Sequence, residues 1–555
     1  MSEPVNRTAG GAPVPNTSVL PEPRHVRILM VADGEASFDR ADFGLATLVD
    51  VLETPPGPWV RFEVTKAHRE RNLPALTADI PLFRFDRHDL AQYDQIWLFG
   101  VARSARPPLE QTELRALAEF MDGGGGVFAT GDHEDFGVSM CGAVPRVRSM
   151  RKWHWPNPGP NGEPVAPSID GPDRHDTLSE GHDPLFQLND QSDDIPQVVT
   201  PRMYATSDSP KWAHQAYPHP LLCGPRGTIR VLPDHPHEGE CHVPEDLTRS
   251  FTFDGYETTE YPAGFAPEVV AWSAINARPA DRDLRKGRLN ARTFGAIGAY
   301  DGHQVGVGRV SVDATWHHFF NVNLVGDPTV PQDPIKSVGF AASEAGRAAY
   351  EEIKAYYRNI AVWLARPTAQ EAMWWRAVWA TRWHHRISMD LRPDRMGGPD
   401  TLDLAELLRI GAEAREVLAA TVTRADTLQW AGRYGVGAVD PGLWEAVRAH
   451  LDPWQPRSGA EQAGHLPNLV MSLLPELVLD AVLGAAVYAV ATAFPEPTEQ
   501  ARDRAGDLDW TTTVRPHLDR ALDVVAEQVL RTDEQLRTLG DTLTAARRSG
   551  DRRGG

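Results

Sequence analysis

Gly123-Gly124-Gly125-Gly126-Val127-Phe128-Ala129-Thr130-Gly131-Asp132-His133 reads in three steps: a glycine run that ends a helix, a short apolar strand, and a charged turn. Glycines after a helical pattern are a stop signal. Four apolar or β-favouring residues without alternation fit a strand buried on both faces. In parallel sheets flanked by helices, ligands bind beyond the carboxyl ends of the strands, so Gly131-Asp132-His133 falls where function is expected.

The pattern repeats outward from this stretch. His25-Val-Arg-Ile-Leu-Met-Val-Ala-Asp33 is an apolar run closed by Asp33-Gly34, and Tyr93-Asp-Gln-Ile-Trp-Leu-Phe-Gly100 is a second buried strand. Helical spacing covers Ala41 to Leu52 and Leu109 to Met121, while Val60 to Lys66 alternates like a strand. Strands separated by helices predict an α/β domain with a parallel sheet, over 25–335. Residues 1–24, rich in Pro, Gly, Ser, Thr and Asn, read as a disordered leader. From 145 to 245 the chain is Pro-rich and aperiodic, with 17 prolines between Pro145 and Pro244, which predicts a loop-rich insertion over the sheet edge. Gly227 to Pro233, Arg292 to Tyr300 and Val307 to Ala314 read as strands, the last two joined as a hairpin at Asp301-Gly302. Beyond Phe340 the strand signals stop. Ala341 to Leu364, Gln370 to Ile387, Thr401 to Ala425, Leu466 to Phe494 and Trp510 to Arg547 have helical spacing, predicting an α-helical domain over 341–550 whose core holds the tryptophans between Trp363 and Trp444.

Composition narrows the function classes. The chain has 555 residues, 56 Lys and Arg against 76 Asp and Glu, and a net charge of −20. That charge repels phosphate backbones and anionic lipid, so nucleic acid and membrane surfaces are not expected partners. The three cysteines make no disulfide framework, and no charged n-region precedes an apolar stretch, so a cytoplasmic protein is expected. Ala481 to Phe494, the longest charge-free apolar segment, is shorter than the ~20 residues a bilayer needs and reads as a buried helix.

Twelve of the 20 histidines fall between His133 and His318, most beside carboxylates at strand ends. Imidazole and carboxylate bind borderline divalent metals and move protons near neutral pH. Asp132, His133, Glu134 and Asp135 crowd one turn; they ligate a metal or supply a base, or else Asp132 caps the next helix and the others are solvated. In Asp234-His235-Pro236-His237-Glu238-Gly239-Glu240-Cys241-His242, an extended His-x-His points both rings to one side, so His235, His237 and Glu238 are candidate metal ligands. Cys241-His242 could instead build a closed structural zinc site. Asp313, Trp316, His317 and His318 end the last strand, with one histidine expected to face the cleft and the other to pack inward. Asp301 and His303 are expected to serve the hairpin turn, and Arg174-His175-Asp176-Thr177, with His182 and Asp183, could form a lid. Trp153-His154-Trp155 could stack a ring or pin a loop, and His384-His385 reads as structural. No nucleotide-cofactor motif and no fixed-period repeat is present.

The strand Tyr93 to Gly100, Gly124-Gly-Gly-Val-Phe-Ala-Thr-Gly-Asp-His133, and Gly306-Val-Gly-Arg-Val-Ser-Val-Asp313 with His317-His318 together resemble the class I glutamine amidotransferase-like fold, and within it the trehalose-utilisation (ThuA-like) group. The resemblance covers roughly Arg24 to Asp327 and implies a flavodoxin-like parallel sheet. It also implies a nucleophilic cysteine on the turn after Val127–Thr130. That turn here reads Thr130-Gly131-Asp132-His133, so thiolate-dependent glutamine hydrolysis is excluded and any catalysis falls to carboxylate, imidazole or metal.

Two functions follow as expectations. The first is a metal-dependent hydrolase of a polar small molecule, with zinc the favoured ion: a Zn²⁺-bound water titrates near ~7, Asp132 or Glu238 takes its proton, and His317 or His318 stabilises the anion. The second is a non-catalytic metabolite-binding or scaffold protein, with homo-oligomer or protein contacts through the helical domain. Convergence of the separated Asp/His clusters favours the first.

Overall fold

The computed structural model describes residues 22–70, 77–155, 159, 194–205, 216–224, 227–233, 239–275, 292–329, 331–391, 403–419, 421–437, 441–442, 444, 452–454, 475–494 and 510–551. Its centre is a sheet of nine strands: β1 (Arg24–Ala32), β2 (Val60–His68), β3 (Ile80–Pro81), β4 (Gln95–Phe99), β5 (Gly126–Thr130), β6 (Thr200–Pro201), β7 (Glu268–Ile275), β8 (Arg292–Tyr300) and β9 (Val310–Asp313). The spatial order is β3-β2-β1-β4-β5-β9-β8-β7-β6. The six strands from β3 to β9 pair in parallel; β8, β7 and β6 extend the sheet antiparallel. The chain is thus a mixed α/β protein with a large, mostly parallel sheet, followed by a helical C-terminal region.

The unalternating apolar runs form strands because both faces of the sheet are covered. Successive side chains on a strand point to opposite faces. Ile28 and Met30 of β1, with Trp97, Phe99 and Phe128, enter a core shared with α1 (Ala46–Glu53). Leu29 and Val31, with Ile96, Leu98, Val127 and Ala129, enter a second core under α2 (Gln111–Asp122), α3 (Val138–Cys141) and α4 (Val147–Met150). A short helix, α5 (Asn321–Val325), follows β9.

The helical region comprises α6 (Glu344–Leu364), α7 (Pro367–Arg382), α8 (His385–Asp390), α9 (Leu404–Leu418), α10 (Arg424–Trp430), α11 (Pro475–Ala493) and α12 (Trp510–Asp551) among the described residues. Pro475 opens α11 at a position where its missing N–H leaves no intrahelical bond unmade. Among the described residues no helix is long and apolar enough to cross a membrane. Trp363, Trp374, Trp379 and Trp430 are buried, as expected, and the core they occupy is continuous with the β1 side of the sheet. Helix α6 is tied to the sheet and to the described part of the insertion: Tyr356 Oη donates to Asp313 of β9 (2.8 Å), Arg309 Nη1, just before β9, donates to the carbonyl of Trp363 (3.0 Å), and Asn359 Nδ2 donates to the carbonyls of Leu221 (3.1 Å) and Cys223 (2.9 Å).

The structure changes three local expectations. The β8–β9 hairpin forms, with Ile297 opposite Asp313 and Tyr300 opposite Val310, but Asp301-Gly302 is no tight two-residue turn. A 3₁₀ turn, Gly302–Val305, and Gly306 at φ +79° lengthen the connection, and Asp301 binds Arg309 at 2.6 Å across it. Strand β7 lacks a clean sequence signal because register shifts around Ala271 break its alternation. Gly227 to Pro233 gives only Gly227–Thr228 and Val231–Leu232, the latter paired with Gln197–Val198. The insertion's described part does reach the sheet edge, where Thr200–Pro201 is the outermost strand.

Candidate active site

The turn after β5 lies flat against the end of β4 because three glycines meet there backbone to backbone. A Cβ on Gly137, which sits at φ +83°, would stand 2.6 Å from the Gly100 carbonyl oxygen and 2.9 Å from the Gly131 Cα. Trp316 N–H donates to the Gly131 carbonyl at 2.9 Å, so the turn after β9 is stitched to the turn after β5. Two segments far apart in sequence thereby share one edge of the sheet.

Asp132 is fully buried at this edge. Its Oδ2 lies 3.1 Å from His133 Nδ1 and 3.7 Å from His317 Nε2. On the far side of the His317 ring, Nδ1 lies 2.9 Å from Asn323 Oδ1. A carbonyl oxygen only accepts, so in this contact His317 Nδ1 carries the hydrogen and Nε2 is the ring nitrogen turned toward Asp132. Trp316 packs against His317 with ring centroids 3.9 Å apart and the rings tilted by 38°, and Phe43, partly exposed, stands 5.8 Å from the same ring. Helix α3 starts at Val138 behind Gly137 with no side-chain cap, so Asp132 is not a helix cap.

His318 points the other way. Its Nδ1 is 2.6 Å from Asp313 Oδ1 and its Nε2 is 3.3 Å from Gln197 Oε1. Asp313 Oδ2 accepts from Tyr356 Oη at 2.8 Å, Oδ1 also accepts from Thr315 N at 3.2 Å, and Gln197 Nε2 donates to Ser273 Oγ at 2.6 Å. One histidine of the pair therefore faces Asp132 and the other is fixed in the core, and the structure identifies them as His317 and His318 respectively.

Glu134 takes φ +55°, a conformation that strains any residue with a Cβ. Its carboxylate and that of Asp135 are held by Arg103, at 2.7 and 2.9 Å, and Arg103 stacks on Phe136 at 3.7 Å. Behind the turn the buried Arg151 donates through Nη2 to the carbonyls of Asp132 (2.6 Å) and Ala314 (2.7 Å) and stacks on Trp153 at 4.5 Å. Burial and then the nearby Arg151 charge push His154 down to about 4, keeping it a neutral imidazole. Arg151, Asn323 and Tyr356 carry no motif, since each acts only through tertiary convergence. Trp153-His154-Trp155 was the one nearby signal.

His235, His237 and Glu238, and likewise Arg174, His175, Asp176, His182 and Asp183, lie outside the described residues. The flanks of the first run are placed. Leu232 pairs with Gln197, which bonds His318, and Gly239 N–H donates to the Ala314 carbonyl at 3.0 Å. A Cβ on Gly239 would stand 2.0 Å from Arg151 Nη2, so a larger residue there would displace the Arg151 guanidinium. Among the described residues no group of three or more His, Cys, Asp or Glu could hold a metal. Cys241 and His242 do not supply one: Cys241 is buried on β8, its N–H donating to the Gly295 carbonyl at 2.8 Å.

The other charged clusters have structural partners. Asp33, at the carboxyl end of β1, accepts from the Val101 and Ala102 N–H groups at 2.6 and 2.8 Å, and burial pushes its carboxyl up to about 6. It fills the crevice between β1 and β4. Against the cost of burial, the Arg309 guanidinium holds Asp301 below the usual carboxylate range, while burial and Arg309 keep His303 neutral. Burial also raises the thiols of Cys141 and Cys241 far out of the nucleophilic range, and that of Cys223 to about 11. No family model matches this chain, and no curated protein matches it either.

Proposed function

We propose that this chain is a hydrolase of polar small molecules whose working centre is Asp132 with His317 and His133 at the carboxyl edge of the sheet. The observation that carries the reading is convergence: a buried carboxylate after β5 meets an imidazole delivered from after β9, 3.7 Å away. Nothing in local sequence forces that meeting. The contact is longer than a formed hydrogen bond, as acid–base pairs often are before substrate binds. His317, with Nδ1 bound to Asn323, takes a proton from water at Nε2 as the water oxygen attacks the substrate's electrophilic centre, Asp132 stabilises the imidazolium that forms, and the proton passes to the leaving group as the scissile bond breaks. His133 lies on the same carboxylate oxygen and is the less enclosed of the two rings. Arg151, fixed behind the Asp132 and Ala314 carbonyls, sets a positive charge beneath the turn.

The strand order supports the relation to the amidotransferase-like and ThuA-like group. With the two-residue β3 set aside, β2-β1-β4-β5-β9 is the flavodoxin-like order 2-1-3-4-5. In this reading Asp132 stands near the place of the family's cysteine. The described residues do not form a complete metal-ligand set, so no step is assigned to a metal here. The metal-dependent form of the reading draws on His235, His237 and Glu238.

A second reading, a non-catalytic metabolite-binding domain, is favoured by burial. Side-chain exposure is 0% for Asp132, 2% for His317 and 10% for His133. One experiment separates these readings. Wild type, Asp132→Asn, His317→Gln and His235→Ala/His237→Ala are screened by mass spectrometry against ester, amide, glycoside and phosphoester pools, with metal content measured in parallel. Turnover lost in Asp132→Asn and His317→Gln supports the hydrolase, and stoichiometric metal lost in the double histidine variant adds the metal. Ligand retention without turnover in wild type sinks the enzyme and leaves the binding domain.

A further inference from the structure

Helix α6 belongs to the C-terminal helical region, yet it supplies two buried phenols to the turn that carries His317. Tyr356 Oη donates to Asp313 Oδ2 at 2.8 Å, and Tyr357 Oη donates to the His318 carbonyl. Asp313 Oδ1 in turn accepts from Thr315 N at 3.2 Å, and Thr315 Oγ1 accepts from His317 N at 3.1 Å. The chain of contacts runs from α6 to the backbone of His317 in three bonds. Adjacent residues on a helix point about 100° apart, so meeting both acceptors fixes the rotation of α6 about its axis as well as its distance from the sheet. The same turn is held from the opposite side by Trp316 N–H on the Gly131 carbonyl, 2.9 Å. His317 is therefore clamped between the sheet edge and α6.

We propose that Tyr356 is a positioning residue for His317, acting through Asp313 and Thr315, and that the helical region is thereby a working part of the site. This goes beyond the hydrolase reading and rests on it only in taking His317 as the working group. Its test reads ring geometry, so it stands or falls whether or not turnover is found.

The test uses the full chain with ¹⁵N-labelled histidine, His317 being assigned by loss of its signals in His317→Gln. In wild type the ring nitrogens should report the Nδ1–H form bound to Asn323. Tyr356→Phe should move the His317 tautomer ratio roughly fivefold, the equivalent of one ordinary hydrogen bond. Thr315→Val breaks the same chain at its other end and should shift the same signals, which keeps the test open if Tyr356→Phe does not fold. Tyr434→Phe is the control: Tyr434 Oη donates to Gln370 Oε1 at 3.1 Å inside the helical region and should leave His317 unmoved. A lower melting temperature in Tyr356→Phe with unchanged His317 signals would reduce Tyr356 to structural support. An equal shift in Tyr434→Phe would show general loosening, and either result overturns the proposal.

Discussion

Asp132 and Asp313 stand at the carboxyl ends of neighbouring parallel strands, both buried and both beside a histidine, yet their surroundings differ in kind. Asp313 is saturated at short range by His318 (2.6 Å), Tyr356 (2.8 Å) and the Thr315 N–H (3.2 Å). Asp132 meets its two imidazoles at 3.1 and 3.7 Å. A carboxylate whose donors are all at bonding distance is committed to holding the fold. One whose second imidazole stands off by more than a hydrogen bond can still change partner. Chemical type and strand-end placement are the same in both; only the distances tell support from site.

The sharpest way to break this comparison is to exchange the roles of the adjacent histidines. His317→Gln should lower kcat/KM by about 10²–10⁴-fold, the range for a lost general acid–base group, while changing stability by no more than about 1 kcal/mol. His318→Gln should do the reverse, and steady-state kinetics beside urea unfolding would show it. If the two variants behave alike, the distinction fails.

Asp313→Asn comes next. Removing the charge from a buried, paired carboxylate costs about 3–5 kcal/mol, to be read from the denaturation midpoint, whereas Asp132→Asn should cost about 1–2 kcal/mol.

The amino end of β9 provides a third case. His219, buried with its ring 4.9 Å from Trp363, is pushed down to about 3 by desolvation and then by Arg309. The folded chain keeps it neutral, whereas an unfolded chain protonates it near 6.5. Between pH 6.5 and 3 the unfolded state binds more protons, so stability falls as pH falls through that window. His219→Asn, which retains an acceptor for the Leu221 N–H, should flatten the slope by at most about 1.4 kcal/mol per pH unit in unfolding measured from pH 7 to 4. Asp33, pushed up to about 6, has the opposite sign, and its contribution declines as pH rises from about 4 to 6.

The smallest effect is expected at Glu134. Glu134→Gly relieves φ +55°, though it gives up the Arg103 contact and adds chain entropy to the unfolded state. The net change should be a stabilisation below about 1 kcal/mol, visible as a small rise in melting temperature; a clear loss of stability would show that the Arg103 contact outweighs the strain.

Much of the sheet was legible because burial on both faces leaves unbroken apolar runs, as in Val127–Thr130 and Ile96–Phe99. Strand β7 was not, because its irregular register at Ala271 hides the period. The site was legible in its parts: Asp132 and the His317-His318 pair could be placed at strand ends by counting along the chain. Which histidine turned toward Asp132 could not, since the choice depends on Asn323 and Tyr356, and no spacing rule links them to the turn. Arg151 was invisible for the same reason. Its partners are backbone carbonyls, which every residue carries.

The two borders of the sheet share one detail. The outermost strands, Ile80–Pro81 and Thr200–Pro201, are each two residues long and each ends in proline. Proline has no N–H to offer another strand, and two residues make a poor template. Among the described residues, a nine-stranded sheet thus ends on both sides in a form that discourages a tenth. Neither border of this sheet therefore offers a ready template for a strand of another chain.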